Sequence, residues 1–140
     1  MKSEQLYHIG VKAVIYNHKN HILILKRTGR DYWDLPGGRI QEGERVQDTF
    51  YREIREETGL IALDDIISYG LYLTSIKFLV NEQTIGLIFY YHTCRITKED
   101  PIILSPEHSG FKWARVEEAR DLLSDDFKNF CDQKGVLALS

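Results

Sequence analysis

The chain has 140 residues, 43% of them hydrophobic and 28% charged, which is the composition of one folded globular domain and excludes a disordered chain. Eighteen Lys and Arg against 21 Asp and Glu give a net charge of −3. That balance lacks the basic excess of a nucleic-acid-coating protein, though it leaves room for a small anion held by local arginines or a bound cation.

The first residues, Met1-Lys2-Ser3-Glu4-Gln5, carry charge and no apolar stretch of signal-peptide length. Tyr7 to Tyr16 is rich in β-branched and aromatic types and predicts a strand. Asn17 to Asn20 reads as a turn, and the aliphatic run from His21 to Arg27 as a second strand. Thr28 to Gly43 reads as a loop broken by Gly29, Pro36, Gly37, Gly38 and Gly43. A helix is expected from about Arg45 to Thr58, with Gly59 as its left-handed cap. Ile66 to Val80 and Gln83 to Ile96 predict two long strands joined tightly at Asn81-Glu82. Pro101 and Pro106 mark a second loop, Trp113 a short strand, Val116 to Leu123 a helix, and a last helix follows from Asp125. The longest apolar runs, Ile22 to Leu25 and Ile85 to Tyr91, fall far short of the ~20 residues of a membrane span. Cys94 and Cys131 have no metal-ligand spacing and read as reduced thiols of a cytoplasmic protein. No repeat or linker divides the chain, so a single domain over residues 1–140 is expected. The order β-β-α-β-β-α predicts an α/β fold with a mixed, largely antiparallel sheet between helical layers.

The first helix is poorly built for helix stability. With Arg52 at zero on a wheel of 100° per residue, Val46, Phe50, Ile54 and Tyr51 fall near ~120°, ~160°, ~200° and ~260° and predict the buried stripe. Glu57, near ~140°, sits between Val46 and Phe50 on the edge of that stripe, where a carboxylate loses hydration unless something compensates it. Glu53 stands three and four residues before Glu56 and Glu57. Like charges at that spacing repel by roughly 3 kcal/mol at an effective dielectric near ~20, before solvent screening. Glu56 and Glu57 also occupy the last turn, where the helix dipole disfavours anions. The bland reading is a solvated charged face. The alternative is a divalent-cation site, because convergent carboxylates form the oxygen-rich cluster that Mg²⁺ or Mn²⁺ prefers.

Residues 38–60 read G-x5-E-x7-R-E-U-x-E-E-x-G-U, with U a bulky aliphatic residue. Gly38, Glu44, Arg52, Glu53, Ile54, Glu56, Glu57, Gly59 and Leu60 fill it. This resembles the signature box of the Nudix hydrolases, and its seven fixed identities match by chance about once in 10⁸ to 10⁹ windows. The lead-in Trp33-Asp34-Leu35-Pro36-Gly37-Gly38 also resembles the family's entry to the box. The resemblance implies a Nudix-type α/β/α sandwich and a Mg²⁺- or Mn²⁺-dependent hydrolase of a nucleoside diphosphate linked to a group X.

The same resemblance implies roles for particular residues. Glu56 and Glu57 would be direct metal ligands together with a backbone carbonyl of Gly37-Gly38. Glu53 would be a third ligand, or the group that orients or deprotonates the attacking water. Arg52 would hold a glutamate in place, and Glu44 would support the cluster. Glu107, six residues before Trp113, matches a loop glutamate that serves some members as ligand or base. Its neighbour His108 could touch substrate, but a surface position is the favoured expectation. Lys26 and Arg27 end a strand where they could reach phosphates. Tyr69, Tyr72, Phe78, Phe89 and Tyr91 read as core aromatics.

No proline lies between Pro36 and Pro101, so the proline typical of ADP-ribose pyrophosphatases after the box is missing. The proline- and tryptophan-rich motif of the NADH-cleaving members is missing too, and Tyr72 matches the tyrosine of dinucleoside polyphosphate hydrolases poorly. These marks leave a MutT-like nucleoside triphosphate pyrophosphohydrolase releasing NMP as the expected activity. The alternatives are an ADP-sugar or dinucleoside polyphosphate hydrolase, and a non-catalytic nucleotide sensor. The expected partner is a small nucleoside diphosphate derivative, with no nucleic acid and no membrane, on a monomer or homodimer.

Overall fold

The computed structural model describes residues 3–134. Seven strands and three helices follow one another as β1 (Leu6–Tyr16), β2 (Ile22–Arg27), β3 (Trp33–Asp34), β4 (Gly37–Arg39), α1 (Val46–Thr58), β5 (Leu63–Val80), β6 (Gln83–Ile96), β7 (His108–Ala114), α2 (Val116–Leu122) and α3 (Asp125–Lys134). β1 organises the sheet. It pairs in parallel with β6 along its whole length, from Leu6↔Ile85 to Tyr16↔Arg95. Its other edge takes β4 at Gly10 to Lys12 and β2 at Tyr16↔Ile22. β2 in turn pairs with β3 and β7, and β5 closes the opposite edge against β6.

Local chemistry explains the turns. Asn17 Oδ1 accepts backbone N–H bonds from Lys19 and His21, closing the β1–β2 connection. Asn81 and Glu82 take φ of 49° and 67°, the double positive φ that a two-residue hairpin turn of the primed type requires.

Helices cover both faces of the sheet. On one, Phe50 and Ile54 of α1 pack on Val11, Ala13, Ile15, Leu23 and Leu25. On the other, Phe127 and Phe130 of α3 pack on Val14, Ile22, Ile24 and Tyr91, with Tyr91 stacked on Phe130 at 3.9 Å between centroids. Burial on both faces is why Ile22 to Leu25 is apolar without alternation. The result is the expected α/β/α sandwich. No helix among the described residues is long and apolar enough to cross a membrane.

Three details differ from the sequence reading. The segment read as a plain loop contains β3 and β4, which are too short and too rich in Gly and Pro to show a strand signal and exist through their partners β2 and β1. β5 starts at Leu63 rather than Ile66, because a bulge at Asp65, φ 50°, lets pairing continue past a residue that reads as a breaker. Tyr51, read as part of the buried stripe, is 46% exposed. The helix buries Thr49, Phe50, Ile54, Glu57 and Thr58, an arc from ~60° to ~240° that stops short of Tyr51.

Candidate active site

α1 presents its charged side to the Gly37-Gly38 turn of β4. Gly59 ends the helix at φ 77° and donates to the Arg55 carbonyl at 2.9 Å, so the glutamates of the last two turns are held in register. Both β4 glycines are required by close approach. A Cβ on Gly37, φ 156°, would run into the carbonyl oxygen of Val11, and a Cβ on Gly38 would run into the Glu53 carboxylate.

Arg52 is the hub of the acidic cluster. Its Nε and Nη2 donate to the two carboxylate oxygens of Glu44 at 2.6 and 2.9 Å, a bidentate fork. Nη1 donates to Glu53 at 2.7 Å and to Glu56 at 3.3 Å, and Nη2 also reaches the Arg39 carbonyl at 3.3 Å. Glu44 further accepts the Gln41 N–H at 2.9 Å and the Thr49 hydroxyl at 3.0 Å. The Arg52 bond and then the Gln41 N–H hold the Glu44 carboxyl down to about 2. One guanidinium thus immobilises three carboxylates brought from a loop and from two turns of the helix.

Glu57 stands apart from that clamp. It is only 6% exposed and accepts one N–H bond, from Gly37 at 3.1 Å. Burial pushes its carboxyl up to about 8; the Gly37 N–H opposes the shift and the neighbouring Glu53 charge adds to it. Lys12, the nearby cation that lowers it, is already bound to Asp34 by contacts of 3.0 and 3.1 Å. Lys12 and Asp34 line the same cleft, of about 490 Å³, as Glu53, Glu56 and Glu57. Sequence reasoning missed both, because their pairing exists only when β3 folds back on β2, the strand next to β1.

The opposite wall comes from β2 and the loop before β7. Thr28 donates from its N–H to the Glu107 carbonyl at 2.9 Å and from its hydroxyl to the Pro106 carbonyl at 2.8 Å. These bonds bring Glu107 to the cleft, 4.0 Å from Arg27. Arg27 lines the cleft; Lys26 is not among the lining residues and lies 3.8 Å from Asp31 instead. His108, expected at the surface, is 5% exposed and lines the cleft, because β7 pairs with β2 from Arg27↔His108 onward and draws it inward. Carboxylate oxygens of Glu57 and Glu107 and a ring nitrogen of His108 all lie within 4.8 Å of one another.

These donors could hold a divalent cation. A sealed carboxylate with an elevated pKa gains most from a cation, and Gly38 leaves open the space into which the Glu53 carboxylate fits. Gly38→Ala tests the fit. The added Cβ meets the far end of a flexible side chain, so the melting temperature should move little. Displacing Glu53 should nevertheless cost about 10²-fold in turnover, measured under saturating divalent ion. Unchanged turnover would remove Glu53 from the site.

The NUDIX domain family model matches residues 6–133. The RNA pyrophosphohydrolase of Actinobacillus pleuropneumoniae serotype 5b is 41% identical over 121 residues, covering 76% of this chain and 59% of its own. That of Pelagibacter ubique is 28% identical over 128 residues, covering 83% and 81%. Among the curated relatives the match spans from 30% to 81% of the relative's length. The crystal structure of the MutT protein from Methanosarcina mazei superposes with a TM-score of 0.69 at 27% identity, over 96% of both chains. On the family-model match, which takes in almost the whole chain, the chain belongs to the NUDIX domain family.

Proposed function

We propose that the protein is a Mg²⁺-dependent pyrophosphohydrolase, acting as a single domain, that cleaves a nucleoside diphosphate linked to a group X. The foremost substrate is a nucleoside triphosphate, hydrolysed to NMP and pyrophosphate. The observation that carries this reading is the set of box carboxylates clamped by Arg52 and packed against the Gly37-Gly38 turn at the cleft. Glu56, Glu57 and the Gly38 carbonyl would hold the divalent ion, with Glu53 beside them. Bound there, Mg²⁺ supplies charge neutralisation on the diphosphate oxygens that repel an incoming nucleophile.

The remaining work falls to the chain's own groups. Arg52 and Glu44 fix the carboxylates before substrate arrives, so little reorganisation accompanies the reaction. Glu53 or Glu107 orients the attacking water and takes its proton as the new P–O bond forms and the anhydride bond breaks. Arg27 offers a guanidinium to a phosphate on the opposite wall. Lys26 is assigned no role in this reading. The thiols of Cys94 and Cys131, both free and buried, suit a cytoplasmic protein.

A second reading, a triphosphorylated 5′ end of RNA, is favoured by the names of the Actinobacillus and Pelagibacter relatives. The expected absence of a nucleic-acid partner rests on the net charge of −3 and gives way if that substrate turns over.

A panel assay decides. The protein with Mg²⁺ is incubated with the four NTPs, a triphosphorylated oligoribonucleotide, ADP-sugars and dinucleoside polyphosphates, with EDTA as control. NMP and pyrophosphate released from an NTP, and lost with EDTA, is the expected result. Release from the oligoribonucleotide alone selects the second reading. Binding of a nucleotide without cleavage makes the protein a sensor and overturns the proposal.

A further inference from the structure

The imidazole of His108 is the least explained group in the cleft. It is buried, and among the described residues its Nδ1 has neither a hydrogen-bond partner nor solvent. A buried polar atom left without a partner is destabilising, and an imidazole that carries one beside carboxylates is a candidate ligand. The donors are at hand: one ring nitrogen lies within 4.8 Å of carboxylate oxygens of both Glu57 and Glu107.

The backbone that carries His108 is also held in place. Its backbone N–H donates to the Ser105 carbonyl at 3.1 Å, and the preceding two residues are pinned to Thr28 by the bonds described above. The same turn buries a second polar atom without a partner, Ser105 Oγ. Glu53 and Glu56 are bonded to Arg52, whereas no guanidinium forks onto Glu57, and Glu107 meets Arg27 only at 4.0 Å.

We propose that His108 supplies a nitrogen ligand to a divalent-cation position shared with Glu57 and Glu107, and that this position takes a borderline transition ion, such as Mn²⁺, in preference to Mg²⁺. One imidazole and two carboxylates form a mixed N,O donor set. Mg²⁺ strongly favours oxygen and its own water shell, while a later first-row ion accepts nitrogen readily. The position shares Glu57 with the proposed pyrophosphate site and so rests on that reading.

Pulsed electron paramagnetic resonance on the full chain tests it. Mn²⁺ is titrated to saturation, and ¹⁴N modulation from a directly bound imidazole is sought. The wild type should show it, and His108→Gln should lose it and bind Mn²⁺ about tenfold more weakly, with Mg²⁺ affinity changed less than about threefold. Should His108→Gln fail to fold, Glu107→Gln, altered at an exposed loop side chain, should weaken Mn²⁺ binding and diminish the modulation. Bound Mn²⁺ without ¹⁴N coupling in the wild type overturns the role of His108 and leaves the glutamate site standing. Modulation that persists in His108→Gln overturns it as well. No Mn²⁺ binding by the wild type overturns both readings.

Discussion

Glu57→Gln should abolish turnover while making the metal-free protein more stable at pH 8. The two effects have one cause. The carboxylate is buried beside Glu53 with a single N–H bond from Gly37, so its charge is useful only when a cation neutralises it. Glutamine keeps the size and can still accept the Gly37 bond, but cannot supply the charge. A loss of about 10³-fold or more in kcat is expected, and a variant retaining a tenth of wild-type activity would exclude Glu57 from the reaction.

The stability effect has a definite sign. Burial pushes the folded carboxyl up to about 8, against 4.5 for the freely solvated side chain, so the folded state holds the proton more tightly. Its contribution is fully present below the unfolded value and is lost as pH rises through the folded one. In EDTA, wild-type stability relative to Glu57→Gln should therefore fall between pH 4.5 and 8, by roughly 2–4 kcal/mol. Urea titrations of both proteins across that range measure it. Saturating Mg²⁺ should restore the wild type and leave the variant unaffected. A wild type that stays more stable than the variant at pH 8 without metal would contradict the burial argument.

Arg52→Ala should loosen the whole cluster. Its guanidinium makes the fork to Glu44 and the bonds to Glu53 and Glu56, and their removal leaves three carboxylates repelling one another. Divalent-ion dissociation constants should rise by about 10–100-fold, and turnover should fall by a similar factor. Arg52→Lys should recover little of this, because an ammonium cannot fork onto Glu44 while reaching Glu53. The pH dependence adds a separate readout. The Glu44 carboxyl is held at about 2 in the folded protein, against 4.5 ordinarily. The stabilisation from that depression is present above pH 4.5 and lost as pH falls toward 2. Arg52→Ala should remove this component, since the Arg52 bond is its largest cause. Isothermal titration of Mn²⁺ with acid unfolding checks both; unchanged metal affinity would make Arg52 merely a surface ion-pair residue.

Much of this architecture is legible in the chain itself, because it follows from interactions a few residues apart. The 3.6-residue period of α1, the Gly59 cap, the Asn17 and Asn81-Glu82 turns and the doubly buried run of β2 are all local events. So is the crowding of Glu53, Glu56 and Glu57. Taken alone, a helix with one carboxylate on the edge of its apolar stripe and two more within a turn of it reads as a solvated charged face or as a cation site, and the flanking box is what favours the second.

What folding alone decides is which distant groups complete the cleft. Lys12 meets Asp34 only because β3 turns back on β2, the strand next to β1. Arg27 and Lys26 are adjacent in the chain, yet only Arg27 lines the cleft. His108 gives no local signal, since a polar residue after Pro106-Glu107 reads as a solvated loop. The pairing of β7 with β2 carries it inward beside Glu57, some fifty residues away. Periodicity reports on neighbours three and four positions apart, while the environment of a cleft residue is set by strand pairings that bring together segments with no sequence relation.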